Sequence, residues 1–229
     1  ETGLSLVYLG LESGVQAQLD RWSRRCTVEE GLKAVEVLQR LGILIQAGFI
    51  LYDPWTTLKE IIANLEFIKK VRVVSLPLFV RAMEIRPGMA LEKKLIENGN
   101  VYREASFDYS YSFYDPKVGT FRDIVSYVFG NLLEFYKKFA ELRESSVLPI
   151  EYVAKLEKQL ILKATGIALD IAISLRSSLI KDSQKAREYM NAWKKEADSL
   201  LENILHSFAS LIAIHNTEDA NVETKTLVN

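Results

Sequence analysis

The sequence predicts an α/β fold with parallel strands, followed by an α-helical C-terminal region. Apolar runs typical of buried strands alternate with amphipathic helices over residues 1–100, and the connections between them are short. Short strand–helix–strand units imply parallel strands joined by right-handed crossovers. The pattern is helical from residue 120 onward. Residues 101–119 lie between the two regions and are rich in Tyr, Phe and Ser; we interpret them as an aromatic loop or lid.

The first strand–helix unit ends its strand on a polar turn. Leu6 to Leu11 is predicted as a buried strand, and Glu12-Ser13-Gly14 follows it directly. Thr27 and Glu30 have the spacing of a capping box, which predicts the start of a helix. Gly42 is placed as a helix-terminating glycine.

Two further strands are predicted in the same region. Ile43 to Leu51 is a nearly continuous apolar run, as expected for a strand that is buried on both faces. Thr57 and Glu60 form a second capping box, which predicts a helix that extends through Val71. We predict the third strand at residues 73–80, where Pro77 interrupts the interior and requires a bulge or a ligand approach.

The remaining chain is predicted to be helical apart from its ends and turns. A short helix is expected at Ala90 to Glu97, and the C-terminal region, residues 120–215, is divided into three helices: Phe121 to Glu144, Ile150 to Lys181 and Ser183 to His215. Residues 216–229 are polar and are expected to form a disordered tail. The aromatic residues Phe107, Tyr109, Tyr111, Phe113 and Tyr114 alternate either as an edge strand or as a cover over a substrate.

Composition excludes several classes of function. The chain has 229 residues, a net charge of -1 and no extended basic cluster, so we expect no nucleic-acid partner. Cys26 is the single cysteine, which excludes an internal disulfide and fits a reducing, cytoplasmic compartment. The most apolar segment, residues 160–179, is interrupted by charges, so we expect no membrane span. His206 and His215 are nine residues apart and point to different helix faces, so we expect no metal pair.

Polar side chains follow all three predicted strands, where ligands bind in parallel α/β folds. A carboxylate there accepts hydrogen bonds from a ribose diol, and an arginine holds a carboxylate in bidentate fashion. Such a set suits a nucleoside or amino-acid ligand, while a solvated charge at each strand end is an equally open interpretation. The residues are Glu12, Ser13, Tyr52, Asp53, Arg81, Glu84 and Arg86.

The order of these motifs matches one enzyme superfamily over about the first hundred residues. The matching positions are Thr2-Gly3-Leu4, Val7 to Gly14, Leu19, Arg24, Thr27, Leu41-Gly42-Ile43, Gly48-Phe49-Ile50, Pro54, Thr56-Thr57 and Arg86-Pro87-Gly88-Met89-Ala90-Leu91. Together they resemble the second half of the core of radical S-adenosylmethionine (SAM) enzymes. The resemblance implies a partial (β/α) barrel, in which the three predicted strands are the fourth to the sixth.

The resemblance also implies roles for individual residues. Glu12, with Ser13 beside it, takes the position that contacts the ribose of SAM. Arg24 takes the basic position that meets the methionine carboxylate. Gln46 and Gly48 fall on the fifth-strand segment beside the adenine. The residues expected to face the substrate are Tyr52, Asp53, Arg81 and Arg86.

Two features depart from the usual pattern of the superfamily. Tyr52-Asp53 replaces the usual glycine after the fifth strand, which resembles a subset that carries a cobalamin-binding domain upstream. The Cys-x3-Cys-x2-Cys motif, whose thiolates hold a [4Fe-4S] cluster, is absent from these residues, and Cys26 cannot replace it. In the family that motif lies upstream of everything present here. Since the chain begins at Glu1 with little room before its first strand, we expect the C-terminal part of an enzyme that is inactive alone.

The implied activity is reductive cleavage of SAM to a 5′-deoxyadenosyl radical that abstracts hydrogen from a small-molecule or peptide substrate. Methyl transfer is common in the cobalamin-associated subset. The expected partners are the N-terminal half of the same enzyme and an electron donor. The alternative is a non-catalytic half-barrel that binds a partner through its helices. A third interpretation, an unrelated α/β enzyme with a phosphate site, lacks a glycine-rich cradle.

Overall fold

The computed structural model describes residues 3–98, 101–103, 109–144, 150–178 and 183–226. Strands and helices alternate at the start, and helices follow. The elements are β1 (Leu6–Glu12), α1 (Gln16–Arg21), α2 (Val28–Arg40), β2 (Leu44–Phe49), α3 (Leu58–Val71), a 3₁₀ helix (Leu76–Phe79), α4 (Ala90–Glu97), β3 (Val101–Arg103), β4 (Tyr109–Tyr111), α5 (Pro116–Val128), α6 (Gly130–Glu144), α7 (Ile150–Arg176) and α8 (Ser183–Thr226).

Strands β1 and β2 form a parallel pair, as predicted. Leu6 lies opposite Leu44 and Gly10 opposite Gly48, and a bulge then shifts the register so that Glu12 faces Phe49. Helices α2 and α3 cover one face of this pair through a core of Leu11, Val35, Phe67 and Val71. Both helices begin at the predicted capping boxes, at Thr27 and Thr57.

The predicted third strand is wrong. Residues 76–79 form a 3₁₀ helix with Pro77 in its first turn, because proline fixes φ and has no N–H to donate to a strand ladder. The segment still runs beside β2: the Ala47 amide donates to the Val73 carbonyl (3.2 Å), and a parallel bridge joins Tyr52 to Ala82. The parallel sheet that the structure describes has two strands, so the partial barrel stays a prediction.

The C-terminal helices pack against α3 and the 3₁₀ helix around the main core. Large buried side chains of this core include Phe79, Phe121, Phe129, Leu160 and Trp193. The single helix predicted over residues 121–144 is instead α5 and α6, which meet at Phe129 and Gly130. Helix α8 continues through Thr226, beyond the predicted start of the tail, and its sequence contains no glycine or proline to stop it earlier.

The aromatic segment forms a small antiparallel ribbon in its described part. Strands β3 and β4 pair with Val101 opposite Tyr111, while Phe107 lies outside the described residues. The Tyr111 hydroxyl donates to the Met83 carbonyl (2.9 Å), and the Phe113 ring packs 5.9 Å from that of Tyr52. This ribbon therefore lies beside the ends of the strands. Across the described helices, none combines the length and apolar character that crossing a membrane requires.

Candidate functional site

A cavity of about 420 Å³ lies at the carboxyl ends of the parallel segments. Ligands bind at this end of parallel α/β sheets because the loops and helix N-termini converge there. The walls come from the segment after α1, the end of β2 and the segment after the 3₁₀ helix. They are formed by Trp22, Arg24, Phe49, Ile50, Arg81, Ala82, Met83, Glu84, Met89 and Leu91. Three of the predicted candidate residues, Arg24, Arg81 and Glu84, thus line one cavity.

Glu12 and Arg24 form an ion pair at the end of β1. An Arg24 guanidinium nitrogen lies 3.3 Å from Glu12 Oε1, and the two side chains are 48% and 21% exposed. Glu12 has a φ of 62°, a left-handed conformation that disfavours L-residues other than glycine. Partly exposed pairs of this kind stabilise a fold little, so both charged groups remain available to a ligand.

Two glycines form the floor beside this ion pair. Gly10 and Gly48 lie opposite each other on β1 and β2. A Cβ on Gly10 would lie 3.1 Å from Glu12 Oε1, and a Cβ on Gly48 would lie 2.5 Å from the Tyr8 hydroxyl oxygen. The Glu12 carboxylate and the Tyr8 ring therefore lie close against the backbone where a side chain would exclude them. The predicted residues Glu12, Arg24 and Gly48 are thus brought together, and Tyr8 joins them.

Gln46 lies further down the same sheet. It is exposed and directly opposite Tyr8 on β1. It also lines a cavity of about 440 Å³ at the amino ends of the strands, with Arg72 and Ile161 among the other walls. Although this cavity is slightly larger, we place the functional site at the carboxyl ends, because that is where parallel α/β sheets bind their ligands.

Ser13 belongs to a buried polar network beneath the site. Its hydroxyl donates to Gln18 Oε1 (2.6 Å) and lies 3.0 Å from Asn64 Oδ1. Asn64 Nδ2 donates to the same Gln18 oxygen (2.7 Å), and Gln18 Nε2 donates to Thr56 Oγ1 (3.2 Å). All four side chains are buried. The Ser13 hydroxyl is therefore engaged by α1 and α3.

Asp53 continues this network under the turn that follows β2. Its carboxylate accepts hydrogen bonds from Trp22 Nε1 and the Trp55 amide, both at 2.8 Å. Arg21 Nε lies 3.0 Å from Asp53 Oδ2 as an ion pair, although its N–H is not aligned for a hydrogen bond. Burial raises the pKa of Asp53, and the charge of Arg21 opposes that shift. In this arrangement Asp53 holds α1 against the turn.

The other three residues predicted to face the substrate have different surroundings. Tyr52 is fully buried, and its hydroxyl donates to the Phe79 carbonyl (2.5 Å). Arg86 is exposed and pairs with Glu84 at 3.1 Å. Arg81 is exposed at the cavity wall, and no carboxylate within the described ranges forms an ion pair with it. Of the four, Arg81 alone both lines the cavity and has a charge free of such a pair in the described part of the chain.

Helix α1 and the residues that it contributes were not predicted from the sequence. Gln18 and Arg21 lie on this helix of six residues, which is too short for a clear amphipathic pattern. The one available signal was that polar side chains surround Leu19, the single buried apolar residue of this helix. Tyr8 was missed as a site residue because an aromatic residue inside an apolar run is typical of any strand.

Metal ligands are lacking in the described residues, where no group of three His, Cys, Asp or Glu side chains is placed to hold an ion. Cys26 is partly exposed and is the one cysteine of the sequence. A [4Fe-4S] cluster with an open iron takes three thiolates, so the residues present do not fit this group.

No family model matches the chain, but a known protein and a solved enzyme structure are similar to it. A stretch of 99 residues, 42% of the chain, is 28% identical to 4'-phospho-dehydrooxetanocin synthase of Priestia megaterium and covers 13% of that protein. The structure of the cobalamin-dependent S-adenosylmethionine radical enzyme OxsB, with aqua-cobalamin and S-adenosylmethionine bound, matches with a TM-score of 0.58 at 14% identity. Over that stretch the chain is similar in sequence to this synthase, and its fold is similar to that of a radical SAM enzyme.

The structural matches cover most of the chain but less than half of the matched enzyme. The OxsB match covers 90% of the chain and 38% of OxsB; the apo form of OxsB gives a TM-score of 0.61 at 14% identity over 90% of the chain and 37% of OxsB. The chain therefore spans well under half the length of the proteins that it matches. The likeness to OxsB extends through the helical region, and the predicted resemblance to radical SAM enzymes is confirmed.

Proposed function

We propose that this chain is the C-terminal part of a radical SAM enzyme and supplies half of its SAM site. One observation carries the proposal: the Glu12–Arg24 ion pair lies beside the floor of Gly10 and Gly48 at the carboxyl ends of the strands. Here a carboxylate and a guanidinium occur beside two glycines that bring no side chains of their own. Such a site accommodates a ligand that has a sugar, an amino-acid carboxylate and a flat base.

The chemistry of these groups fits SAM residue by residue. The Glu12 carboxylate is a suitable acceptor for the ribose hydroxyls, and the Arg24 guanidinium is suited to the methionine carboxylate. Glu12 and Arg24 now neutralise each other at 3.3 Å, so a bound ligand exchanges one partner for another without leaving either charge isolated. SAM, when bound to a reduced cluster, supplies the 5′-deoxyadenosyl radical of this superfamily. The residues of this chain bind and orient.

The cluster ligands belong, in this proposal, to an N-terminal half of the same protein. The amino-terminal part of the sheet face opposite α2 and α3, away from Glu12 and Arg24, is where that half would pack, since it presents Leu6 at 45% exposure. Leu4, just before β1, is 55% exposed. Exposed apolar side chains in alternating positions are typical of a strand face that another layer covers.

We further propose that the substrate is a small molecule with an anionic group, and that Arg81 binds it. Arg81 lines the cavity, and no carboxylate in the described residues pairs with it. The Priestia megaterium relative is named as the synthase of a 4'-phospho compound. A phosphate is an anionic group, which agrees with an anionic ligand. Cobalamin is proposed as a second cofactor because OxsB, whose structure this chain resembles, is cobalamin-dependent. A methyl-transfer reaction and a peptide substrate are the alternatives within this proposal.

The experiment compares the full-length protein with residues 1–229, both purified without oxygen. We expect about four irons per full-length chain, since one [4Fe-4S] cluster is proposed, and release of 5′-deoxyadenosine when dithionite and SAM are added. Residues 1–229 alone are expected to hold no stoichiometric iron and to release none of this product. Turnover by the 229 residues alone would contradict the proposal.

The rival function is a non-catalytic half-barrel that binds a partner protein. The lack of cluster cysteines in the chain favours it, whereas the ion pair at the strand ends has no use in a scaffold. Sequencing the coding region upstream of Glu1 separates the two. A Cys-x3-Cys-x2-Cys motif there supports the enzyme, and an additional α/β domain before that motif supports the use of cobalamin. A start codon close to Glu1 without such cysteines supports the scaffold. A cytoplasmic location is part of the enzyme proposal.

A further inference from the structure

The segment that carries Arg81 is anchored by side chains from three other parts of the chain. Residues 79–83 include the end of the 3₁₀ helix, and one parallel bridge, from Tyr52 to Ala82, joins them to the described part of the sheet. Carbonyls that have no strand ladder need other donors. Side chains donate to three carbonyls of this segment: Tyr52 to Phe79 (2.5 Å), Arg122 to Val80 (2.8 Å) and Tyr111 to Met83 (2.9 Å).

The peptide unit between Val80 and Arg81 is fixed on both sides. Its N–H, which belongs to Arg81, donates to the Pro77 carbonyl (3.0 Å), and its carbonyl accepts from Arg122 Nε (2.8 Å). The orientation of this peptide sets the backbone dihedral angle φ of Arg81, and φ influences which rotamers the side chain adopts. The Arg81 side chain itself is exposed at the cavity wall. A fixed backbone thus presents an exposed guanidinium to the cavity.

Arg122 reaches this peptide from α5, in the helical C-terminal region, and its side chain is partly buried. Buried arginines are usually paired with an acid, but no carboxylate within the described ranges forms an ion pair with Arg122. Burial raises the pKa of Tyr52 and of Tyr111, and the charge of Arg122 opposes both shifts. The guanidinium therefore lies near the two tyrosines that hold the same segment, with the Val80 carbonyl as its acceptor.

We propose that Arg122 is a positioning residue for Arg81: by fixing the peptide before Arg81, it keeps the Arg81 guanidinium at the cavity wall, where that group binds the anionic part of the substrate. This inference rests on the proposed function, in which Arg81 has that role. An arginine whose backbone is already ordered loses less freedom on binding, so its affinity for an anion is higher. The helical region in this way contributes to substrate binding without touching the substrate.

The competing explanation is that the positive charge of Arg122 attracts the anion directly. Three substitutions separate the two explanations because they change the donor and the charge independently. Arg122→Gln keeps an N–H at the position of Nε and removes the charge, whereas Arg122→Met, of similar length, removes both. Arg122→Lys keeps the charge but has a carbon at the position of Nε.

The test measures the affinity of the full-length protein for phenyl phosphate by calorimetry at constant ionic strength. Arg122→Met should weaken binding about fivefold, within the range of coupling in one hydrogen-bond network. Arg122→Gln should stay within about twofold of wild type, because the donor to Val80 is kept. Arg122→Lys should bind more weakly than Arg122→Gln. Thermal unfolding checks that each variant is folded, and if Arg122→Met is not, the order of the other two variants decides.

A double-mutant cycle shows whether Arg122 acts through Arg81. Arg81→Ala alone should weaken phenyl phosphate binding by at least about tenfold, as expected for the loss of hydrogen bonds to a charged group. Once residue 81 is alanine, adding Arg122→Met should change the affinity by less than about twofold, because the group that Arg122 positions is gone. An equal loss in both backgrounds would overturn the positioning role.

The outcomes separate the role of Arg122 from the proposed function. If Arg122→Met binds phenyl phosphate as tightly as wild type, or if Arg122→Lys binds it more tightly than Arg122→Gln, the role of Arg122 is overturned while that of Arg81 stands. If the wild-type protein binds no phenyl phosphate, or if Arg81→Ala binds it as tightly as wild type, the proposed anion site fails, and the role of Arg122 fails with it. SAM affinity should be unchanged in all these variants.

Discussion

Glu12 and Ser13 are adjacent in the sequence, but they belong to two regions of opposite character. Glu12 lies on the open sheet face, in a left-handed conformation, with one partly exposed arginine as its partner. Ser13 is 1% exposed and hydrogen-bonded to Gln18 on α1. The first region contributes little to the stability of the fold, and it exposes a carboxylate and a guanidinium to which a ligand could bind. In the second, the described polar side chains are engaged by protein partners.

Under the proposed function, this difference separates the residues that bind the ligand from those that stabilise the fold. The buried network of Ser13, Gln18, Asp53, Thr56 and Asn64 ties α1 and α3 to the ends of the strands. Buried hydrogen-bonded groups of this kind fix one arrangement, because breaking any pair leaves an unsatisfied partner. The strand ends are therefore held by buried hydrogen bonds that do not involve the exposed Glu12–Arg24 pair.

Asp53→Ala, in the buried region, should lower the free energy of unfolding more than the other substitutions. It removes the carboxylate that accepts from Trp22 and Trp55 and leaves the charge of Arg21 without its buried partner. Arg21 keeps its ion pair with Glu60 (2.9 Å), so the loss comes mainly from the Trp22 and Trp55 donors that are left without an acceptor. We expect the free energy of unfolding to fall by about 3 kcal/mol. Urea denaturation of residues 1–229 measures this. A loss below about 1 kcal/mol would show that the network does not hold the turn.

Gly14→Ala tests the packing of the same buried layer. A Cβ at residue 14 would lie 2.3 Å from the Cβ and Cγ atoms of Phe67, which α3 holds in place. We expect a loss of about 1–3 kcal/mol from overpacking, again by urea denaturation. Gly166→Ala is the matched control, because its methyl group meets nothing within 4 Å and it lies within α7. Equal losses in both variants would point to a general effect of replacing glycine.

Glu12→Gly, in the open region, should raise the free energy of unfolding rather than lower it. Glycine adopts a φ of 62° without the penalty that a Cβ brings, so we expect the free energy of unfolding to rise by about 1 kcal/mol or less. The same change removes the carboxylate, so SAM binding by the full-length protein should weaken. Thermal unfolding and ligand titration together check the two effects. A destabilised variant would mean that the Glu12–Arg24 pair stabilises the fold more than its exposure indicates.

Arg86→Ala should have the smallest effect of the four. The Arg86–Glu84 pair is 71% and 58% exposed, and exposed pairs contribute about 0–1 kcal/mol. Arg86 lies outside the wall of the 420 Å³ cavity, so ligand affinity should also stay within about twofold of wild type. A large loss of affinity, measured by titration of the full-length protein, would move Arg86 into the binding site.

Local patterns predicted much of the fold because they act over a few residues. The capping boxes at Thr27 and Thr57 place α2 and α3, since the pairing of a threonine with a glutamate three residues later is complete within one turn. A local pattern gave a wrong prediction at residues 73–80. There an apolar run indicated a strand, but Pro77 fixes φ and has no N–H to donate, and residues 76–79 form a 3₁₀ helix instead.

The site was predictable only where the chain itself sets the geometry. The resemblance to the superfamily predicted Glu12 and Arg24 as site residues. The structure brings them together in an ion pair because only the end of β1 and one short helix separate them. Asp53 has the same strand-end signal, but its surroundings depend on Arg21 and Trp22, which approach from a helix that the sequence did not reveal. Burial is a property of packing across distant segments, so a strand-end charge in a sequence does not show which side of the turn it faces.

The most direct test compares the affinity for SAM of the full-length protein with those of its neighbouring variants Glu12→Ala and Ser13→Ala. We predict that Glu12→Ala weakens binding by at least about tenfold, as expected for the loss of hydrogen bonds to a charged group. Ser13→Ala should lower the free energy of unfolding and leave the affinity within about twofold of wild type. Unchanged binding in Glu12→Ala, or the same loss of affinity in both variants, would contradict the claim that the open sheet face is the SAM site.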